Sequence, residues 1–360
     1  MCAVAQISCR GAHTVTGVSR VNGFRRVISS QLDSARSVSS MRFIALLCVF
    51  SVFAAPTPAS EPADIESRLV AREQREAGIT PGAERRIRWI NGKPSRTALS
   101  LVYLHGYSAT RQEVHPLPER VADALGANLY ETRLTGHGRG GQAMLEGSAS
   151  AWQADALEAL ETGLEIGERV VVLSTSTGGT LSTWLASRAQ GEEIAALAMI
   201  SPNFAPADKA LYLLDTPVVG PLILAWFGDD ERSWEPMNDA QSRYWTWQYP
   251  WAALLELARL VKEVDSIDKS TIRTPALMIY SPNDQVIDAE AVRSNFEAWG
   301  ASRKRLVAYE RSGDPSQHVL AGNIVSPGST QELATIITTF LRDTALAPER
   351  NQPGSKGKSM

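Results

Sequence analysis

Residues 169–183 read RVVVLSTSTGGTLST. Val170, Val171, Val172 and Leu173 form a short, β-branched apolar run, the pattern of a central parallel strand covered on both faces. From Thr180 the sequence can continue as helix through Leu185 and Ala186. Between the two lies Ser174-Thr175-Ser176-Thr177-Gly178-Gly179. A strand that passes so abruptly into a helix brings the two backbones nearly into contact. The positions two before and two after the turning residue must then be small. Ser176 occupies the turning position, with Ser174 and Gly178 at the small ones. Such an elbow pushes the serine side chain out at the strand's C-terminal end, with the helix N-terminus behind it. Taken alone, the same residues also fit a polar turn at a helix N-terminus.

Strands and helices alternate on both sides of this stretch. The pattern predicts strands at 86–90, 97–104, 128–133, 194–200, 275–281 and 304–309, and helices at 113–125, 152–166, 288–299 and 330–341. Residues 61–82 read as a polar, partly helical lead-in. The fold class expected is α/β, a mostly parallel central sheet with helices on both faces. Residues 204–266 interrupt the rhythm and carry five of the nine tryptophans: Trp226, Trp234, Trp245, Trp247 and Trp251. An insertion here, between two sheet strands, reads as a helical cap over the sheet's C-terminal edge. Most of its aromatics are expected to form its own core. Trp226, Phe227, Trp245 and Trp247 are the cap residues expected to line a pocket for an apolar group.

The chain thus divides into a leader (1–60), a core (61–203 and 267–343), a cap or lid insertion (204–266) and a disordered tail (344–360). The tail is rich in Pro, Gly and Lys. From Met41 the sequence is MRFIALLCVFSVFAAPTPASEPAD: one Arg, about thirteen apolar residues, then small residues and prolines. This is the anatomy of a secretory signal peptide, with the true start at Met41 and cleavage between Ala54 and Ser60. Export to the periplasm or medium is expected; the alternative is an uncleaved N-terminal anchor. Beyond residue 60 there are 30 basic and 38 acidic residues, a net charge of −8. That balance gives no reason to expect nucleic acid as a partner. All three cysteines lie in the first fifty residues, and the five histidines show no metal-ligand spacing. No metal and no cofactor are implied. Oligomeric state is not legible.

In an open α/β sheet, reactive groups stand beyond the C-terminal ends of the strands. His105, His137, Ser176, Asp284 and His318 fall in those positions. A serine nucleophile needs a base, and the base needs a carboxylate to orient it. On this type of sheet the chain order is Ser, Asp, His, and His318 alone among the five histidines follows Ser176. Asp284 directly follows a buried strand. Asp288 fits the N-cap of the next helix, and Asp314 shares the loop of His318. Asp284 is therefore the expected orienting carboxylate. Donors for a developing oxyanion are expected from the backbone N–H groups of Thr177 and Tyr107, with the Tyr107 ring also a candidate to touch substrate. His105 and His137 are expected to shape loops.

Leu104-His105-Gly106-Tyr107, Gly136-His137-Gly138, the Ser176 elbow, Asp284 and His318 together resemble the α/β-hydrolase superfamily. Within it the chain is similar to the monoacylglycerol lipase and lysophospholipase-like branch, also labelled serine aminopeptidase-like, over about residues 84–343. The resemblance implies a Ser-His-Asp hydrolase with a lid over an acyl pocket. Its substrate would be a small acyl or lipid-like ester, with brief contact between cap and lipid surface. Thioester, amide, peptide and perhydrolase chemistry could run on the same triad; a non-catalytic binding protein is the rival of another class. Two departures stand out. Ser174 replaces the usual Gly and Thr175 an often-found His, which loosens any substrate assignment. An elbow Asp, as in dehalogenases and epoxide hydrolases, is replaced here by Ser176.

Overall fold

The computed structural model describes residues 62–346. The leader and almost all of the tail lie outside the described residues. After helix α1 (Pro62–Glu73) come β1 (Arg86–Arg88), β2 (Thr97–Leu104), α2 (Leu117–Leu125), β3 (Asn128–Glu131), α3 (Ala149–Ile166), β4 (Gly167–Thr175), α4 (Thr177–Ala186) and β5 (Ile194–Ile200). The insertion holds α5 (Val219–Phe227), β6 (Glu231–Ser233), α6 (Asp239–Tyr244), β7 (Gln248–Pro250) and α7 (Leu254–Asp265). β8 (Ala276–Tyr280), α8 (Ala289–Ala298), β9 (Lys304–Ala308) and α9 (Thr330–Ala345) complete the chain.

Seven strands form one sheet in the order β1-β3-β2-β4-β5-β8-β9. Only the edge pair β1–β3 is antiparallel. The apolar run of β4 alternates between the two faces. Val170 and Val172 pack with Trp152, Leu181, Trp184 and Leu260 on one side. Val171 and Leu173 pack with Leu117, Val121, Leu333 and Ile337 on the other. This period of two explains why a strand flanked by helices on both faces reads as an unbroken apolar run. Burying each such side chain stabilises the fold by about 1.5–3 kcal/mol. From β2 the chain steps to β3 on one side and to β4 on the other. The crevice between the C-terminal ends of β2 and β4 is therefore a topological switch point, where open sheets bind ligands.

Several boundaries differ from the sequence-based expectation. The second helix starts at Leu117, not at residue 113. Pro116 and Pro118 account for this, because the residue before a proline disfavours the α region. The third helix begins at Ala149, where the Ser148 hydroxyl accepts from Ala151 N–H as an N-cap. The last helix runs to Ala345 rather than 341. The insertion is not purely helical. β6 and β7 form an antiparallel pair with Arg232 opposite Tyr249. Its last helix, α7, buries Leu257, Leu260, Val261 and Val264 in the same core as Leu181 and Trp184 of α4. It covers the sheet, and the segment between α6 and β7 is bonded to the loop after β2 through Thr246 N–H and Ser108 O.

Helix α1 is tied to the sheet by buried ion pairs. The Arg133 side chain is fully buried and donates to Glu73 (3.1 Å) and pairs with Glu76 (2.9 Å). Arg85 pairs with Glu73 (2.5 Å) and Asp155 (3.3 Å), and Asp155 also accepts from Thr135 N–H (2.6 Å). Arg133, Thr135 and His137 belong to the loop that follows β3, so this network fixes a wall of the crevice.

Candidate active site

Ser176 sits between the last residue of β4 and the first of α4, at φ 51° and ψ −115°. A positive φ is strained for any residue with a Cβ. Neighbouring backbone holds it there. Ser176 N–H donates to Ile200 O (3.0 Å), and Ser176 O accepts from Asn203 N–H (3.0 Å). A Cβ on Gly178 would overlap the Leu104 carbonyl, and one on Gly179 would meet Pro202 at 2.7 Å. The demand for small residues thus falls on the helix side of the elbow, and Ser174, fully buried, is accommodated on the strand side. Ser176 itself is 6% exposed.

His318 lies on the loop after β9 and is 7% exposed. Its Nδ1 is 2.8 Å from Asp284 Oδ2. The other carboxylate oxygen of Asp284 accepts from Val286 N–H (2.8 Å) and Ile287 N–H (3.0 Å). The rival carboxylates are engaged elsewhere. Asp288 caps α8, accepting from Glu290 N–H and Ala291 N–H. Asp314 holds the histidine loop, accepting from His318 N–H (3.1 Å), Val319 N–H (2.8 Å) and Ser316. Gln285 N–H donates to Ser316 O, which joins the Asp284 and His318 loops. Adjacent residues anchor serine and histidine together: Ile200 accepts from Ser176, and the Ser201 hydroxyl donates to His318 O (2.7 Å). Burial alone would lower the His318 pKa. The Asp284 charge and hydrogen bond, then Glu113 and Asp314, outweigh it and hold the imidazole above its ordinary value. An Nδ1–H that donates to Asp284 leaves Nε2 as a free acceptor.

The loop after β2 is built around His105. Its Nδ1–H donates to Gly106 O (2.8 Å), and its Nε2 accepts from Leu134 N–H (3.0 Å). Burial, then the neighbouring His137, keeps its pKa well below the ordinary range. His137, lowered to about 4 chiefly by burial, bonds Thr135 O. Both are loop-shaping groups, as the sequence implies. The Tyr107 ring meets His137, Trp152 and Tyr249 edge-on at 5.5–5.8 Å. Its hydroxyl is buried without a partner. The Thr177 N–H occupies the first helical position of α4, where no carbonyl stands four residues back in helical geometry.

Of the cap aromatics, Trp245 is buried with Ala109 and Val319, residues that follow the β2 loop and His318. Trp247 lines a neighbouring cavity of about 290 Å³ with Trp245, Gly138 and Arg243. Thr246 N–H donates to Ser108 O (2.7 Å), so the cap is stitched to the β2 loop. The expectation for Trp226 and Phe227 is corrected. They are 78% and 50% exposed, because their face of α5 turns outward while Ile223 and Leu224 pack toward the core.

Sequence reasoning missed Glu113. It is buried beneath the β2 loop, where its Oε2 accepts from Gly106 N–H (2.8 Å) and Tyr103 OH (3.0 Å). A helix over 113–125, as the sequence pattern predicts, puts Glu113 at its first position instead. The signal available was Pro116, three residues on, which puts Glu113 before the helix.

The profile of the serine aminopeptidase S33 family matches residues 95–313. The chain belongs to this family. The S33 match contains Tyr107, Ser176 and Asp284 and ends five residues before His318. A thermostable monoacylglycerol lipase from Bacillus sp. (strain H-257) is 26% identical over 217 residues, 59% of this chain and 82% of that protein. Among solved structures, one from a study of the metagenome-derived lipolytic enzymes LipS and LipT is 22% identical. It aligns with a TM-score of 0.58 over 74% of this chain and 99% of its own. The monoacylglycerol lipase of Paleococcus ferrophilus is 17% identical, with a TM-score of 0.53 over 72% and 98%. These likenesses establish an α/β-hydrolase fold, with the monoacylglycerol lipase-like branch as its neighbourhood.

Proposed function

We propose that this S33-family chain is a serine hydrolase of carboxylic esters acting through an acyl-enzyme. The hydrogen bond between His318 and Asp284, at the strand edge that carries Ser176, is the observation that carries the reading. In this mechanism Ser176 attacks the ester carbonyl while His318 Nε2 takes its proton. Asp284 stays ionised and stabilises the imidazolium. The N–H groups of Tyr107 and Thr177 bind the oxyanion. His318 then protonates the leaving alcohol and activates water to release the acid.

Esters are favoured over peptides by the charges around the elbow. An aminopeptidase must seat the substrate's ammonium on a free carboxylate. Glu113, Asp284 and Asp314 are already bonded to the β2 loop, to His318 and to the histidine loop. The aromatic surroundings of Tyr107 and Trp245 suit an acyl chain instead. The name of the Bacillus relative supports the same substrate class. The test is hydrolysis of p-nitrophenyl esters from acetate to long acyl chains. Turnover with a chain-length optimum supports the reading; an inert ester series with cleavage of amino-acid amides overturns it.

The apolar outer face of α5 gives this enzyme a contact with lipid surfaces. Val218, Leu222, Trp226 and Phe227 are all exposed, and α5 carries no charged residue. Among the described residues no single helix is long and apolar enough to cross a membrane, although residues 209–215 and α5 would pass as a bent pair by length and composition; the contact proposed here is a peripheral one through the exposed face of α5. The double variant L222S/W226S is expected to bind phosphatidylcholine vesicles at least about tenfold more weakly, since each buried apolar side chain contributes about 1.5–3 kcal/mol. Its rate on a soluble short-chain ester should not change. Equal vesicle binding by both proteins would refute the contact. On the strength of the Met41 segment, we place the enzyme outside the cytoplasm.

A further inference from the structure

We propose that Glu113 is a positioning residue that holds the oxyanion loop against the nucleophile elbow. The inference rests on the hydrolase reading above. A continuous buried chain of hydrogen bonds carries it. Thr175, the residue before Ser176, shares a hydrogen bond with Tyr103 OH (3.1 Å); Tyr103 OH donates to Glu113 Oε2; and Gly106 N–H donates to the same oxygen. One carboxylate oxygen therefore links the residue before the nucleophile to the residue before Tyr107, whose N–H is the proposed oxyanion donor. The fit is tight. A Cβ on Gly106 would lie 2.7 Å from Glu113 Oε1 and 3.2 Å from Ser176 Cβ.

A buried carboxylate is costly unless hydrogen bonds offset its lost hydration, and Gly106 N–H and Tyr103 OH supply them here. Burial raises the pKa of Glu113, against the opposing effects of the Gly106 N–H, His318 and Tyr103. The hydrogen-bonded Asp284, and more weakly the charges of Glu113 and Asp314, favour the protonated form of His318. A base held above its ordinary value works only above that value. The acid limb of kcat/KM in the native protein should therefore lie above about pH 6.5.

Two variants separate position from charge. Glu113→Gln keeps an oxygen for Gly106 N–H and Tyr103 OH but removes the negative charge. Glu113→Ala removes both. The expected result is a fall of about a hundredfold in kcat for Glu113→Ala with little change in KM, because a misplaced oxyanion donor acts on the transition state. Glu113→Gln should recover most of that loss and move the acid limb down by about half a pH unit or more. Native kcat in Glu113→Ala overturns the proposal. So does a Glu113→Gln variant that falls as far as Glu113→Ala with an unmoved acid limb, which would mark Glu113 as core packing alone. Labelling of Ser176 by a fluorophosphonate, run on the native protein, tests the hydrolase reading separately. A native protein that is neither labelled nor active would indict that reading and not Glu113.

Discussion

Ser176→Ala is expected to lower kcat/KM on p-nitrophenyl esters by at least about a thousandfold, roughly 4 kcal/mol of transition-state stabilisation. The substitution removes one oxygen and little else. Alanine retains the Cβ, so the strain at φ 51° persists, and the backbone bonds to Ile200 and Asn203 do not involve the side chain. The melting temperature should stay within a few degrees of the native value. Residual activity would come from the Tyr107 and Thr177 N–H groups acting on water-driven hydrolysis. A variant that keeps more than a tenth of native activity would exclude Ser176 as nucleophile.

Asp284→Asn should cost about a thousandfold or more in kcat, and the reason lies in the two oxygens of Asp284. Oδ1 accepts from Val286 N–H and Ile287 N–H, and only an oxygen can take that place. The asparagine amide is thereby forced to turn its NH2 toward His318 Nδ1. Nδ1 must then accept, Nε2 carries the proton, and the ring no longer takes a proton from serine. The opposite amide orientation would lose two backbone hydrogen bonds. Stopped-flow kinetics at saturating ester would read the effect in kcat, with KM changed little. Native-like turnover would point to Asp314 as the working carboxylate, despite its engagement with the histidine loop.

The sheet and the serine elbow were legible because each depends on local patterns. The β4 run is apolar on both faces, the elbow needs glycine at Gly178, and chain order singles out His318 as the candidate base. Asp288 was legible as a cap for the same reason. Glu113 was hidden because its role depends on Gly106 and Tyr103, which approach it only when β2 and the segment before α2 fold together. The outward face of α5 was hidden as well. An apolar segment such as Val219–Phe227 reads the same whether it encloses a pocket or faces outward, and only tertiary packing separates the two. The cap's β6–β7 ribbon consists of two three-residue strands, too short for a period of two to register.

The ion pairs around Arg133 bear on where this molecule begins as a folding unit. Family likeness starts at residue 95, yet Glu73 and Glu76, which neutralise Arg133, come before it. A chain cut at the limit of likeness would keep the cation and discard both counter-charges. It would also strip Asp155 of Arg72 and Arg85. Orphaning a buried charge costs about 3–5 kcal/mol, a large share of the 5–15 kcal/mol that holds a typical domain together. Ancestry and foldability thus draw different borders here: the segment outside the family match is a counterweight whose loss would leave the shared part markedly less stable.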